Sequence, residues 1–154
     1  MLKEDKFLIS IIIVNYNGKK FLRNCLESLY NINYQNKEII VIDNGSNDGS
    51  FCLLFEEFTT FKKIIFAGYQ FNQGLPIASN YGASLAKGDC LFFLNNDTMV
   101  NENILNELLK SNTDVTGCRM YNYEGTKELD SAISVDKFGY PAGRTGQIFY
   151  PDGA

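Results

Sequence analysis

The sequence of 154 residues is 45% hydrophobic and 21% charged, a balance that excludes an intrinsically disordered chain and fits one soluble globular domain. Its 14 basic and 18 acidic residues give a formal charge of −4 without any basic run, which argues against nucleic acid as a partner. The apolar run Phe7–Val14 is too short to span a membrane, so we expect a cytoplasmic protein, at most peripheral to the inner face of the membrane.

Apolar runs and amphipathic stripes alternate along the chain in the order expected of strands and helices. Near-continuous apolar runs predict strands at Phe7–Val14, Glu38–Asp43, Lys62–Phe66, Cys90–Leu94 and Asp114–Met120. Apolar residues recurring every three or four positions predict helices at Lys19–Tyr30, Ser50–Phe58, Leu75–Lys87 and Asn101–Lys110. Their core faces include Ile77 and Leu109. This order is typical of the α/β class, and we expect a doubly wound, mostly parallel sheet with helices on both faces.

From Tyr121 onward the pattern weakens, because glycines and prolines interrupt short apolar pairs and indicate loops or a small hairpin. The prediction is a single domain over residues 1–154, with a core at 7–120 and an irregular segment at 121–154. The final Pro151–Ala154 carries neither a helix stop nor a polar tail, which favours a cut through a longer protein.

The cysteines are spread along the chain, each inside an apolar segment, at Cys25, Cys52, Cys90 and Cys118. The sequence has no CxxC pair and no histidine. This spacing predicts four buried free thiols instead of a zinc or redox site. Free thiols in turn indicate a reducing compartment.

Polar side chains follow three of the predicted strands, at the point where each strand ends. They are Asn15, Tyr16 and Asn17 after the first strand, Asp43, Asn44, Gly45 and Ser46 after the second, and Asn95, Asn96 and Asp97 after the fourth. Each group alone reads equally well as turn chemistry or a helix cap. Their recurrence after successive buried strands favours one ligand site, because ligands of open α/β sheets bind outside the carboxyl ends of the strands.

The residue types in these loops suit a nucleotide and a metal ion. Asp97 is a carboxylate among amides, a setting that suits Mg²⁺ or Mn²⁺, which prefer oxygen ligands and retain phosphate oxygens in their shell. Asp43 and Asn44 offer an acceptor and a donor for the edge of a pyrimidine or for a ribose hydroxyl. Tyr16 is placed to stack beneath the base.

Four segments in this order resemble the successive signatures of family 2 glycosyltransferases with the GT-A fold: ISIIIVNYNG, LRNCLESL, KEIIVIDNGSNDGS and NQGLPIASNYGASLAKGDCLFFLNNDT. The resemblance covers about Ser10–Asn101. The forms VNYN, IDNGS and LNNDT are most similar to the rhamnosyltransferase-like branch. The resemblance implies metal-dependent, inverting transfer of a sugar from a UDP- or dTDP-sugar to a hydroxyl of a glycan or lipid-linked acceptor, in cell-surface polysaccharide synthesis.

The resemblance also implies roles for individual residues. Asp43, with Asn44 and Ser46 in the same loop, matches the family's base-binding loop. Asn95–Asn96–Asp97 stands where the family has its metal-binding DxD motif, so Asp97 and Asn95 would hold Mg²⁺ or Mn²⁺ at the donor diphosphate. The segment NQGLPIASN, which contains Gly74 and Asn80, matches the loop and helix start that flank the diphosphate and sugar.

Two departures from the family pattern affect the expected chemistry. Asn95 replaces the first carboxylate of the metal motif, and an amide oxygen binds metal more weakly. The acceptor-binding segment, typically a Glu-Asp pair followed by Asp and Arg, does not occur after Asp97. We therefore expect the general base to lie outside this chain, and we assign no catalytic residue.

Three other readings remain. A nucleotide-sugar-binding module without catalytic activity would share the same donor loops. A Rossmann oxidoreductase would need GxGxxG after the first strand, where the sequence reads NYNGKK, and the P-loop pattern GxxxxGK[ST] is also absent. A purely structural domain would leave the three polar strand ends without a reason.

Overall fold

The computed structural model describes residues 6–58, 63–111, 113–122, 124–130, 133–135 and 141–143. The chain divides into two compact units, Met1–Leu105 and Asn106–Ala154. Strands and helices alternate through the first unit and into the start of the second. They are β1 (Ile9–Asn15), α1 (Lys19–Tyr30), β2 (Lys37–Asn44), α2 (Ser50–Phe58), β3 (Ile64–Tyr69), α3 (Leu75–Leu85), β4 (Cys90–Asn95) and α4 (Ile104–Leu108).

The four strands form a parallel sheet in the order β3-β2-β1-β4. Asn15 lies opposite Asp43 of β2, and Val14 lies opposite Asn95 of β4. The strand order therefore reverses between β1 and β4, and three strands end at the same level on either side of that point. A reversal of this kind opens the crevice in which α/β proteins bind ligands.

The central strands β1 and β2 are buried on both faces. On one face Ile12, Ile40 and Ile42 pack with Ala78 of α3. Gly82 brings α3 close to the sheet, because a Cβ at this position would lie 2.5 Å from Ile12 Cγ2. Helices α1 and α2 connect β1 to β2 and β2 to β3, whereas α3 connects β3 back across the sheet to β4. Because parallel crossovers are right-handed, connections in opposite directions place α1 and α2 on the face opposite to α3. The prediction of an α/β parallel sheet with helices on both faces is confirmed.

Strand β4 differs from its prediction as a buried strand. Its side chains alternate in exposure, and Leu91 and Phe93 are 46% and 52% exposed. The reason is position: β4 is the edge of the four-stranded sheet, and α3 packs on β1 and β2. Ile77 of α3 is likewise exposed instead of inward. Of the predicted inward residues in and after α4, Leu105 is buried, whereas Ile104, Leu108 and Leu109 are only partly buried.

The predicted fifth strand at Asp114–Met120 is wrong. Only Met120–Tyr121 is extended (β5), and it pairs antiparallel with Glu128–Asp130 (β6) in a sheet of its own. Val115 is 88% exposed, so this segment does not supply the buried apolar run that a central strand needs. A second antiparallel pair joins Ile133–Val135 (β7) and Pro141–Gly143 (β8), in keeping with the hairpin expected there.

All four cysteines are free, as predicted, but they are not all buried. Cys25 is buried, Cys90 and Cys118 are partly buried, and Cys52 is exposed. Cys52 lies off the buried stripe of α2, which consists of Ser50, Leu54 and Phe58 at every fourth position. Among the described residues, no helix has the length and apolar character needed to cross a membrane.

Candidate functional site

Asn15 lies at the centre of the strand-end cluster. It ends β1, between β2 and β4, and its side chain is 0% exposed. Its Nδ2 lies 2.9 Å from Asp43 Oδ1, 2.8 Å from Ser50 Oγ and 3.1 Å from Ser46 Oγ, while its Oδ1 accepts a 2.8 Å hydrogen bond from Asn96 Nδ2. Both ends of the carboxamide are thus used within the protein, so Asn15 holds neighbouring loops in place instead of facing a ligand.

The loop after β2 is a closed turn built on Asp43. Asp43 Oδ2 accepts the backbone N–H of Ser46 at 3.0 Å, and the carboxylate is 6% exposed. Ser46 Oγ also accepts the backbone N–H of Asn17 at 2.9 Å, and Asn17 Oδ1 accepts that of Asn47 at 2.9 Å. Asn17 adopts a left-handed backbone with φ of 52°, a conformation that asparagine tolerates better than most residues. The predicted loops after β1 and β2 are therefore hydrogen-bonded to each other.

Asn44 connects this turn to the loop before α3. Its Nδ2 donates to Asn72 Oδ1 at 2.9 Å, and its Oδ1 accepts the backbone N–H of Gln73 at 2.9 Å. Asn72 Oδ1 also accepts the backbone N–H of Gly74 at 2.8 Å. Asn44 is 2% exposed, so it fixes the β3–α3 loop and does not present its amide to a base.

Gly74 and Asn80 occupy different environments on α3. Gly74 is the N-cap residue with φ of 83°, a backbone conformation that side chains disfavour. Asn80 is exposed, whereas Ala78 and Gly82 on either side of it face the sheet. The structure therefore brings Gly74 to the edge of the cluster and leaves Asn80 on the solvent face of the helix.

The turn after β4 presents one carboxylate to solvent. Asn96 Nδ2 bonds inward to Asn15, whereas the side chains of Asn95 and Asp97 are exposed. The Asn95 carbonyl accepts Thr98 Oγ1 at 2.6 Å and Cys25 Sγ at 3.7 Å. Burial, and then the nearby charge of Asp97, raises the pKa of the Cys25 thiol to about 12. Asp97 thus lies near enough to Cys25, in the middle of α1, for its charge to act on the thiol.

Sequence reasoning did not single out Gly18 and Ser50, which complete the cluster. A Cβ on Gly18 would lie 2.0 Å from Asn96 Nδ2 and 2.4 Å from Asn15 Oδ1, so only glycine allows this hydrogen bond to form beside it. Ser50 begins α2 and is fully buried against Asn15. The Asn-Gly step after β1 and the Asp-Gly-Ser step before α2 were visible as turn signals, but their partners are distant in sequence.

A cavity of about 230 Å³ opens beside the Asp43 turn, lined by Asp43, Phe51, Gly68 and Tyr69. Gly68 allows β3 to lie close to Asp43, because a Cβ there would lie 2.6 Å from the Asp43 carbonyl oxygen. Tyr16, which is 49% exposed, stands at the same strand-end edge. The cavity thus combines the Asp43 carboxylate with the aromatic side chains of Phe51 and Tyr69.

The sequence matches the profile of Glycosyl transferase family 2 over residues 10–149. The chain belongs to this family. Among curated relatives, the glycosyltransferase GlyG of Streptococcus pneumoniae serotype 4 is 34% identical over 124 residues, which cover 76% of this chain and 40% of GlyG. The chain spans less than half the length of the first curated relatives that it matches.

Solved glycosyltransferase structures share the fold of this family 2 chain. Residues 1–349 of TarS of S. aureus, in complex with UDP-GlcNAc, superpose with a TM-score of 0.61 and 23% identity over 66% of this chain and 30% of that TarS fragment. The mannosyltransferase PcManGT from Pyrobaculum calidifontis, in complex with GDP-Man and Mn²⁺, superposes with a TM-score of 0.64 and 19% identity over 68% of this chain and 32% of PcManGT. The predicted GT-A fold is confirmed.

The family 2 motif after β4 provides few metal ligands of its own. Within the described parts of the chain, no group of three or more Asp, Glu, Cys or His side chains could enclose a metal ion. Asp97 and Asn95 provide one carboxylate and one amide oxygen, both exposed. Mg²⁺ is typically bound by one or two carboxylates together with phosphate oxygens and water. The residues therefore fit an ion shared with a diphosphate and do not fit a closed protein cage.

Proposed function

We propose that this chain is the donor-binding part of a metal-dependent, inverting glycosyltransferase. The enzyme would transfer a sugar from a UDP- or dTDP-sugar to a hydroxyl of a glycan or lipid-linked acceptor, in cell-surface polysaccharide synthesis. One observation carries the proposal: the strand-end loops form a single hydrogen-bonded cluster with the Asp97 carboxylate exposed at its open edge. Membership of family 2 supports sugar transfer, and the complexes of TarS with UDP-GlcNAc and of PcManGT with GDP-Man and Mn²⁺ support a nucleotide-sugar donor.

We assign the nucleobase of the donor to the cavity beside Asp43. Each carboxylate oxygen of Asp43 accepts one hydrogen bond from the protein, so each retains a second acceptor site. Uracil and thymine both carry an imide N–H that can donate to such an oxygen, whereas adenine has none. Phe51 lines the cavity, and the exposed ring of Tyr16 is available to stack on the base.

The diphosphate is assigned to the edge between Asp97 and the start of α3. Gly74 has no side chain, and the free N–H groups at a helix start favour an anion. Asp97 and Asn95 would hold Mg²⁺ or Mn²⁺ there, and the ion would offset charge on the departing nucleoside diphosphate. In this assignment Asp43 binds the nucleoside, and Asp97 provides the metal-dependent part of donor binding.

A second candidate is a nucleotide-sugar-binding module without catalytic activity. It is considered because every residue assigned here serves donor or metal binding and none is assigned as a general base. The two candidates share the donor site and differ in whether a sugar is transferred, so donor binding tests what is common to both.

Thermal unfolding with added nucleotides tests the donor site. A ligand at 100 times its Kd stabilises the folded state by about 2.7 kcal/mol, which corresponds to a rise in Tm of roughly 5–11 °C for a chain of this size. We expect this rise with UDP or dTDP in Mn²⁺ or Mg²⁺, and a much smaller one with ADP. Asp97→Asn should remove the metal-dependent part, whereas Asp114→Asn, an exposed aspartate of the other unit, should keep it. No shift with UDP or dTDP in either metal would overturn the proposal.

We also propose a cytoplasmic protein, at most peripheral to the inner face of the membrane. The four free cysteines support this location, because thiols persist in reducing compartments. Fractionation of cells that express the natural gene would test it. Recovery in the soluble fraction, or in a membrane fraction released by salt, is expected, whereas recovery outside the cytoplasmic membrane would contradict it.

A further inference from the structure

The buried carboxamide of Asn15 links the two halves of the proposed donor site. On one side, its Nδ2 hydrogen-bonds to Asp43, which lines the cavity assigned to the base. On the other side, its Oδ1 accepts Asn96 Nδ2, and Asn96 lies between the two residues assigned to the metal. The same planar group therefore orients a side chain in each half, and neither half can turn without losing a bond to it.

Only an amide side chain can make this connection. A carboxamide carries two N–H donors on one atom and an acceptor on the other. An aspartate at the same place would have no donor for Asp43 and would set a second negative charge beside it. An apolar side chain would leave the Asn96 amide and the Asp43 carboxylate without their buried partner.

The surroundings of Asn15 favour one orientation of its carboxamide. Its side chain is 0% exposed, and Ser50, itself fully buried, accepts from the same Nδ2. Gly18 leaves space for Asn96 to reach the oxygen, since a Cβ there would lie 2.0 Å from Asn96 Nδ2. A rotation of the carboxamide would therefore break bonds on both sides at once.

From this geometry we infer that Asn15 is a positioning residue that couples nucleoside binding at Asp43 to metal binding at the Asn95–Asp97 turn. The inference rests on the proposed function, because it assumes that those two places bind a base and an ion. A ligand that fixes the Asp43 carboxylate fixes Asn15, and through it the Asn96 amide. By thermodynamic linkage, a bound ion must then raise the affinity for the nucleoside by the same factor by which the nucleoside raises the affinity for the ion.

Uridine is the probe that isolates this path, because it lacks the phosphates through which a nucleotide would touch the ion directly. Titrations of uridine followed by NMR, with and without saturating Mg²⁺, give the coupling factor. We expect Mg²⁺ to raise uridine affinity about fivefold, the lower end of typical couplings between sites. We also expect uridine alone to shift the side-chain amide signals of Asn96, a readout that needs no metal.

Asn96→Ala is the decisive variant, because it removes one arm of the connection at a partly exposed position and leaves Asn15 bonded to Asp43. Whatever its uridine affinity without Mg²⁺, that affinity should no longer change when Mg²⁺ is added. Ser84→Ala, on the exposed side of α3, should keep the full factor. Asn15→Asp should lose both uridine affinity and coupling if it folds, and the result with Asn96→Ala stands without it.

The outcomes separate the two proposals. Uridine binding that Mg²⁺ leaves unchanged in the wild type, or a coupling factor that persists in Asn96→Ala, overturns the positioning role while the donor site stands. Failure of both uridine and UDP to bind overturns the donor site and, with it, the coupling.

Discussion

Replacing Asn15 by leucine keeps the branching of the side chain and removes every polar contact that the side chain makes, so it measures what the buried cluster contributes to stability. The lost hydrogen bond to the charged Asp43 is worth about 1.5–3 kcal/mol, and the neutral bonds to Ser46, Ser50 and Asn96 about 0.5–1.5 kcal/mol each. Burying the leucine side chain returns about 1.5–3 kcal/mol. Mid-range values of these terms give a net loss of roughly 2–4 kcal/mol, a large share of the 5–15 kcal/mol typical of a domain.

The measurement is thermal unfolding followed by circular dichroism, with Asn80→Leu as the matched control. A loss of this size lowers Tm by about 4–16 °C for a chain of this length. Asn80 carries the same side chain on the exposed face of α3, where a substitution changes stability by at most about 0.5 kcal/mol. Equal Tm values for the two variants would refute the argument, because they would mean that the contacts of Asn15 contribute nothing.

Three further predictions concern pH, thiol reactivity and turnover. Burial alone would raise the pKa of Asp48, but hydrogen bonds from Ser50 and from the Lys19 backbone lower it below its ordinary value of 3.8. The ionised Asp48 carboxylate therefore stabilises the fold fully at pH values well above 3.8, and this stabilisation is lost as the pH falls through and below that value. Denaturant titrations should therefore show a weaker acid dependence in Asp48→Asn, and an unchanged profile would contradict this. A thiol reagent should label exposed Cys52 quickly and leave Cys25, with its pKa of about 12, unreacted until the chain unfolds, whereas equal labelling rates would count against the buried position of Cys25. Finally, this chain should bind donor without transferring sugar, because we expect the general base to lie outside it and a general base contributes a factor of about 10²–10⁴ in rate. The assay measures transfer from a radiolabelled donor to a cell-derived acceptor extract. Transfer comparable to that of the protein from the whole natural gene would show that the general base lies within these residues.

The sequence predicted most accurately those elements whose environment matches their local pattern. Helices α1 and α2 have the predicted bounds, because their apolar stripes lie on a covered face of the sheet. Strand β4 shows the limit of this approach, since a run such as CLFFL reads the same at the edge of a sheet as at its centre. Exposure of Leu91 and Phe93 depends on which neighbours the fold provides, and no local pattern records that.

The candidate site was predictable in location but not in the division of work among its residues. Asn15, Asp43 and Asn96 lie at or just after the ends of strands, so the parallel sheet brings them together as expected. Their roles depend on hydrogen-bond partners that are distant in sequence, since Asp43 is 28 residues and Asn96 is 81 residues from Asn15. These bonds place Asn15 inside the cluster, whereas Asp97 lies outside it. Asn44 was expected to read a base for the same reason, whereas its amide is used on the β3–α3 loop.

The spread of Asn15's partners along the chain has a consequence for protein synthesis. Asp43, Ser46 and Ser50 leave the ribosome soon after β1, whereas Asn96 follows Ser50 by 46 residues, the difference between 96 and 50. At typical rates of about 5–20 residues per second, that interval lasts roughly 2–9 s. During this time the nascent chain can form the hydrogen bonds of Asn15 to Asp43, Ser46 and Ser50, whereas Asn15 Oδ1 cannot yet bond to the Asn96 amide. The two halves of the cluster are therefore built in sequence, and slow translation between α2 and β4 would lengthen the life of the half-built form.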